Sequence, residues 1–523
     1  MPGRRRRFRV VRCHLPTGLL GWGWNVQLYA TRSRASWGIG DLADLRALTR
    51  WAADAGATFV GVNPLHAPLP TPRQQPSPYF PSSRLYRSPL YLRVEEVPGA
   101  TDGAAGATVA QLAAAGRALN AERRIDRDAV WRLKRAALEA IRRERRDGDD
   151  PGFEAWRANE GGLLARYATF CALVDHHGTP WPTWPAAYRR PDTPEVARFT
   201  EEHAERIQFH QWLQWLLDEQ LAAAAGQGVA LVHDLAVGVD PDGADAWLWP
   251  DLTVDGVHVG APPDEFNTQG QDWGVAAWDP ARLKAAGYEP FVRTLRANLR
   301  HAGGLRVDHV MGLFRLFWVP AGRGPSAGRY VRYPARDLIA RLAAESRRAT
   351  AVMVGEDLGT VQRSVRRRLA RRQVLSTRLL WFEEEPPAEY PRQALAAVTT
   401  HDLPTVAGLW TGADLDAQRR LGLHPNEASV AHIRDRLRAG LRLADGAPVG
   451  EVVRAVYAWL AEAPSMLVSA TLEDALEVVE RPNMPGTVDQ WPNWSLALPL
   501  PLEEIVTDPR PATIAELLGG RTP

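Results

Sequence analysis

The sequence predicts an α/β protein: a closed (β/α)8 TIM barrel with largely helical insertions between barrel strands and no C-terminal β-sandwich domain. Three observations predict it. Short apolar runs recur along the chain, helical sequence separates many of them, and several end in an ionisable residue. Continuous apolar strands are what a parallel sheet buried on both faces requires. Eight β/α units favour closure over an open doubly wound sheet.

The first candidate strand is NVQLYA (25–30), followed by the helical stretch DLRALTRWAADAG and by TFVGVNPL (58–65). RIQFHQWLQWLLDEQLAAAA leads into the third, GVALVHDL (228–235), and EPFVRTLRANLRHAG into the fourth, GLRVDHV (304–310). AVMVGEDL (351–358), TRLLWF (377–382), LAAVTTHD (395–402) and SMLVSATLED (465–474) complete the eight. The gap between the second and third is far too long for one crossover. Residues 66–200 are therefore expected to hold a mostly helical insertion subdomain, with AERRIDRDAVWRLKRAALEAIRRERR as surface helices. A second insertion is expected at 403–464, all within one catalytic barrel spanning 1–523. The chain stops soon after the eighth strand, which leaves no room for an appended sandwich. No repeat of 20–50 residues is visible, which argues against a solenoid or propeller.

Composition narrows the chemistry. At 45% hydrophobic and 24% charged residues the chain is ordinary globular sequence, which excludes wholesale disorder. A formal net charge of +2 gives no reason to expect a nucleic-acid or membrane partner. Lys134 and Lys284 are the only lysines among 63 basic residues, and both read as solvated helix residues. Neither a P-loop lysine nor a Schiff-base lysine is visible, so P-loop ATP chemistry and lysine-imine chemistry are not expected. Cys13 and Cys171 are too far apart for a CxxC pair and fit a reducing compartment. The run MPGRRRRFRVV lacks the apolar stretch of a secretory signal and reads as a solvated tail. No window is apolar enough for a membrane span. A cytoplasmic location is expected.

Asp234, Asp308, Glu356, Asp402 and the Glu473/Asp474 pair stand at strand ends, which a barrel gathers on its active face. One such carboxylate is most often a helix cap or an ion-pair partner. Several on near-consecutive strands point to paired carboxylates that divide nucleophile and acid roles, as in glycoside chemistry. Tryptophan (20) outnumbers tyrosine (11) and phenylalanine (12). Most must be core, but flat rings with a hydrogen-bonding edge suit a pyranose. Trp273, Tyr79 and Trp494 lie in Gly/Pro/Ser-rich contexts and read as exposed.

Specific strings then carry a resemblance: QLYATRSRASWGIGDLADL (27–45), SPYFPSSRLYRSPLYL (77–92), HDLAVGVDPDGADAW (233–247), PPDEFNTQGQDWG (262–274), GGLRVDHVMGLFRLFWVP (303–320), GEDLGTV (355–361), TTHDLPTVAGLW (399–410) and NMPGTVDQWPNW (483–494). In these the chain resembles the amylomaltases, the 4-α-glucanotransferases of glycoside hydrolase family 77. The strings follow the family's order and span almost the whole chain. RVDH alone would carry less, because the wider α-amylase clan shares it.

The resemblance implies that Asp308 is the nucleophile, Glu356 the general acid/base and Asp402 the carboxylate that holds sugar hydroxyls and stabilises the transition state. Arg306, two residues before Asp308 and so on the same side of a strand, would hold it ionised and oriented. His309 and His401 match positions that bind sugar hydroxyls, and Asp234 matches the family's strand-end aspartate. Ser77 and Tyr79 match a donor-side contact; Asp264 and Trp273 match the loop bordering the acceptor subsites. Asp357 is expected to be structural. The chain departs from the family at His233, where glycine is usual, and at Ala276, Ala277, Gln490 and Ser495.

The implied reaction is a retaining double displacement through a covalent glycosyl-aspartate, with the two carboxyl groups about 5–5.5 Å apart. It needs Glu356 raised in pKa and requires no metal or other cofactor. Implied partners are α-1,4-glucans (maltooligosaccharides, or chains of starch or glycogen), with glucose or another glucan as acceptor. The 262–278 and 483–494 loops are expected to keep water out. The rival readings are an α-amylase-type hydrolase, against which the 262–274 and 483–494 strings argue, and a non-catalytic glucan-binding protein, against which the three carboxylates argue.

Overall fold

A computed structural model describes residues 11–145, 150–263, 270–359 and 361–521. The arginines of the N-terminal run up to residue 10 lie outside the described residues. Eight parallel strands close into a barrel: β1 (Gly21–Val26), β2 (Phe59–Val62), β3 (Ala230–Leu235), β4 (Gly304–Val307), β5 (Val352–Gly355), β6 (Leu375–Leu379), β7 (Ala394–Ala397) and β8 (Leu467–Thr471). Each pairs with its sequence neighbours, and β8 closes on β1.

The first strand is a correction. It begins upstream of NVQLYA and takes in only Asn25 and Val26 of that run, whose LYA forms a 3-10 turn instead. GWGW was not among the expected strand runs, yet it forms most of this strand. A Cβ on Gly23 would meet the Phe59 carbonyl at 2.2 Å and its ring at 2.7 Å. Absent side chains let β1 press against β2, as glycine does wherever a backbone approaches closely.

Inside the barrel, Phe59, Val232, Val354, Leu375, Leu379, Leu395 and Leu467 share one apolar cluster. Alternation along each strand then sets a polar layer above it. On β3 and β4, Val232 sits opposite Gly304 and Asp234 opposite Arg306. The helices pack outside: Leu42–Asp54 and Ala204–Ala225, for instance, share a core with β1 and β2.

Between β2 and β3 the described residues form six helices from Gly103–Ala118 to Ala204–Ala225 and a two-stranded sheet, His66–Ala67 with Ser83–Arg87. Four helices between Val406 and Leu460 separate β7 from β8. One piece was not legible. Excursions after β3 and β4 build an antiparallel sheet from Thr253–Ala261, Gln271–Trp278, Arg315–Pro320 and Arg329–Arg332. Thr253–Ala261 is broken by Gly and Asp and half exposed, and Arg329–Arg332 is mostly exposed, so these two lack the apolar runs that mark barrel strands.

Lys134 is also a correction. It is 1% exposed, not solvated. Its Nζ donates to the Leu90 and Leu92 carbonyls at 2.7 Å and lies 4.0 Å from Asp41. Asp41 and Asp44 form a capping box on helix Leu42–Asp54, and Arg93 clamps both carboxylates. The GIGDLADL string thus ties the barrel's first helix to the inserted helices. Lys284 is exposed, and Cys13 and Cys171 are buried and unbridged. Among the described residues no helix is long and apolar enough to cross a membrane.

Candidate active site

The carboxyl ends of the strands open into a cleft of about 2600 Å³. Its floor is set by β4 and β5. The Asp308 N–H donates to the Leu235 carbonyl and the Glu356 N–H to the Val307 carbonyl, both at 3.1 Å, so the two acids leave adjacent strands at matched height. Between them His309 takes the left-handed conformation, φ 43°, which is costly for a residue with a Cβ. The turn aims the His309 N–H at Glu356 Oε2, 2.8 Å away, while the Leu358 N–H reaches Oε1 at 2.8 Å.

A continuous hydrogen-bond chain crosses the floor. Arg306 Nη1 donates to both oxygens of Asp234 (2.8 and 2.7 Å) and to Asp308 Oδ1 (3.1 Å). The Tyr79 hydroxyl donates to Asp234 Oδ2 at 2.6 Å. That phenol has only one proton, so its 3.3 Å contact with His401 Nδ1 requires the imidazole to donate. His401 Nε2 lies 3.3 Å from Asp402 Oδ2, and Asn483 Nδ2 donates to Asp402 Oδ1 at 2.7 Å. Both His401 nitrogens therefore face acceptors, which favours imidazolium. Its pKa is raised accordingly: withdrawal from water opposes the charge, and the Asp402 carboxylate outweighs it.

The carboxyls are pushed apart. Withdrawal from water is the main force on Asp308, and with the Asp234 and Glu356 carboxylates it raises this group to about 6 against the pull of Arg306. Arg306 was expected to hold Asp308 firmly ionised; because it gives two of its three contacts to Asp234, it does so only partly. Glu356 is raised too, by withdrawal from water and by Asp357, against Arg306 and its two backbone donors. Asp402 goes the other way. Withdrawal from water disfavours its charge, but His401, Asn483 and Arg306 bring it down to about 2.

A family model for glycoside hydrolase family 77, 4-alpha-glucanotransferase, matches residues 26–501. The chain belongs to this family. The 4-alpha-glucanotransferase of Mycobacterium tuberculosis is 46% identical over 559 aligned positions, which cover 97% of this chain and 76% of that protein. The amylomaltase of Corynebacterium glutamicum matches the fold of this family 77 enzyme with a TM-score of 0.85 at 34% identity, over 95% of this chain and 75% of that one. An amylomaltase from Streptococcus agalactiae, solved in complex with acarbose, shares the fold at 18% identity and a TM-score of 0.79, over 96% of this chain and all of that one.

The family 77 chain gathers Ser77, Tyr79, Trp273, Asp308, His309, Glu356, His401 and Asp402 on one cleft. Asp234 and Arg306 lie just beneath, bonded to them. Asp264 lies outside the described residues. Ser77 Oγ accepts the Tyr79 N–H at 3.3 Å and so shapes the turn that presents the phenol. Trp273 stands edge-on to His309, ring centroids 5.2 Å apart, on a strand rather than in a free loop. Asp357 is fully buried and accepts from Ser376, Thr377 and Arg366.

Trp494 is a correction, being 5% exposed. Its ring packs on Tyr79 and His401 at centroid distances of 5.3 and 5.0 Å. It too is left-handed, φ 60°, held by Arg127, which donates to its carbonyl and to Ser495 Oγ. Ser495 thereby anchors this loop to the inserted helix Arg127–Glu144.

Three residues were missed. Asn483 opens the NMPGT string but was given no role. Arg481 Nη1 donates to the Asp402 carbonyl at 2.8 Å and forms a buried two-pronged ion pair with Asp414. Sixty-seven positions separate that pair, and nothing local to either marks it. Breaking a buried ion pair by removing one partner costs about 3–5 kcal/mol. Asp414→Asn is therefore expected to lower Tm markedly and, by loosening Asp402, to reduce kcat more than it raises KM. Calorimetry and steady-state kinetics check both.

Proposed function

We propose that the chain performs 4-α-glucanotransfer by a retaining double displacement with Asp308 as nucleophile, Glu356 as acid/base and Asp402 as the third carboxylate. The observation that carries this reading is the placement of Asp308 and Glu356 on adjacent strand ends of one cleft, with both carboxyls raised above their ordinary range by withdrawal from water. At neutral pH Asp308 is ionised and attacks the anomeric carbon of the donor. Glu356 gives its proton to the departing glycosidic oxygen, and the leaving glucan carries it away as a hydroxyl. The incoming 4-hydroxyl then yields its proton to Glu356 and displaces Asp308. Two inversions preserve the α-linkage.

The backbone donors at His309 and Leu358 hold Glu356 between the two steps and stabilise it when ionised. Asp402, ionised and open to the cleft, is placed to accept sugar hydroxyls, with the His401 imidazolium beside it. Tyr79 and Trp273 supply the apolar faces a pyranose stacks on, with Trp494 packed against Tyr79. The acceptor is glucose or another glucan chain and the donor a maltooligosaccharide or a chain of starch or glycogen, in a cytoplasmic setting.

The test is to trap the intermediate. A 5-fluoro-α-glucosyl fluoride carries its own leaving group but slows breakdown. After incubation and digestion, mass spectrometry is expected to find one hexosyl adduct, on Asp308. An adduct elsewhere, or none with turnover intact, overturns the assignment.

A further inference from the structure

Where β3 meets the insertion, four basic side chains converge from three segments of chain. Arg84 and Arg87 come from Ser83–Arg87, His66 from its partner strand and His233 from β3, one residue before Asp234. All are more than nine-tenths buried. His66 and Arg87 are direct cross-strand partners, so their side chains leave the same face of the two-stranded sheet. No step of the reaction uses His233.

Their donors outnumber the acceptors. Arg87 gives Nη2 to the Ala297 carbonyl at 2.7 Å, while its Nε and Nη1 have no partner. Arg84 gives Nη1 to the Ala236 and Val237 carbonyls and lies over the Trp278 ring, leaving Nε unpaired. The Ala236 N–H donates to His66 Nε2 at 3.3 Å, so a neutral ring must carry its proton on Nδ1, and Nδ1 has no partner. His233 Nε2 is likewise unpartnered. Burial and the adjacent guanidiniums push His66 well down, which keeps the ring neutral. The carboxylates that act on the pair are engaged elsewhere. Asp245 accepts from Ser83 Oγ and the Arg84 N–H, and Asp218 from Trp156, Arg300 and His301.

Buried donors are almost always satisfied, and a buried cation without a counter-charge is costly. Because the donors to Asp245 are uncharged, its carboxylate offsets Arg84; with both imidazoles neutral, the charge left to balance is the single positive one of Arg87. The unpaired atoms identified on Arg84, Arg87 and His66 are all donors. Their burial leaves no wide mouth for a polyatomic ligand. We propose that this cluster is a buried binding site for a monovalent, halide-sized anion of the chloride class, held by Arg87 Nε and Nη1 and His66 Nδ1, with Arg84 and His233 completing the shell. The ion pins the insertion to the barrel beside Asp234, in the way a structural metal would but with the opposite charge.

The experiment uses the full chain. Crystals soaked in sodium bromide are measured at the bromine edge, and Tm is followed in solution as chloride replaces gluconate at fixed ionic strength. A bromide peak against Arg87 and His66 is expected, with Tm rising by about 1 °C for each tenfold increase in chloride above Kd, as linkage gives for a chain of this length. Arg87→Met removes the buried charge. It is expected to lose both the peak and the chloride response, while melting no lower than the parent in gluconate. Should that variant not fold, His66→Phe makes the same comparison, and the parent protein's response decides by itself. An ordered water alone at the site, a Tm indifferent to chloride, or an unchanged response in the variant overturns the proposal.

Discussion

Asp308→Asn is expected to abolish transfer, lowering kcat on maltotriose by roughly 10⁴–10⁶-fold as loss of a nucleophile does, while the glucan still binds. The substitution keeps the shape of the side chain and its acceptor toward Arg306, which retains both contacts to Asp234. The stacking surfaces of Tyr79 and Trp273 are untouched, so Kd should stay within about tenfold, or 1.4 kcal/mol. Tryptophan fluorescence reads that binding directly, because Trp273 and Trp494 line the cleft. Reducing-end chromatography reads turnover. Wild-type-like turnover would remove Asp308 from the chemistry. Lost turnover together with lost binding would make it a structural residue.

Glu356→Ala is expected to cost about 10²–10⁴-fold on ordinary donors, with a rescue that a structural role cannot mimic. A glycosyl fluoride needs no acid to leave, and azide needs no base to attack, so the pair should restore turnover and yield a retained glycosyl azide. The pH dependence separates the two carboxyls. Asp308 acts ionised, so kcat/KM falls as pH drops through about 6. Glu356 acts protonated, so kcat/KM falls again on the alkaline side of its raised pKa. In Glu356→Ala with the fluoride and azide, the alkaline limb should vanish and the acid limb should stay. Because the two groups interact, the limbs of the parent report the pair. The variant reports Asp308 alone.

The floor of the cleft was legible because its residues stand at the ends of apolar strands. RVDH and GEDL each place an acid just past a run that has to be a barrel strand, and the resemblance gave those acids their roles. What stayed hidden depends on contacts between distant segments. GWGW does not stand out as a strand until Gly23 is seen against Phe59. Lys134 looks like a solvated helix residue until the Leu90 and Leu92 carbonyls meet it. The division of Arg306 between Asp234 and Asp308 follows from the register of β3 against β4, which no local pattern specifies. Trp494 was placed outside because its neighbours are loop formers, yet its strained backbone folds the ring inward onto Tyr79 and His401. Arg481, Asp414 and the His66–Arg87–His233 cluster share this character, each joining stretches that have nothing in common until the chain is folded.

The most direct test of the central claim is to incubate the purified chain with maltotriose and no added cofactor. The product ladder and the total number of reducing ends are then followed together. Transfer conserves reducing ends, so glucose and oligomers longer than the substrate should accumulate while the total stays constant. A rising total with only shorter products would show water as the acceptor and contradict the account.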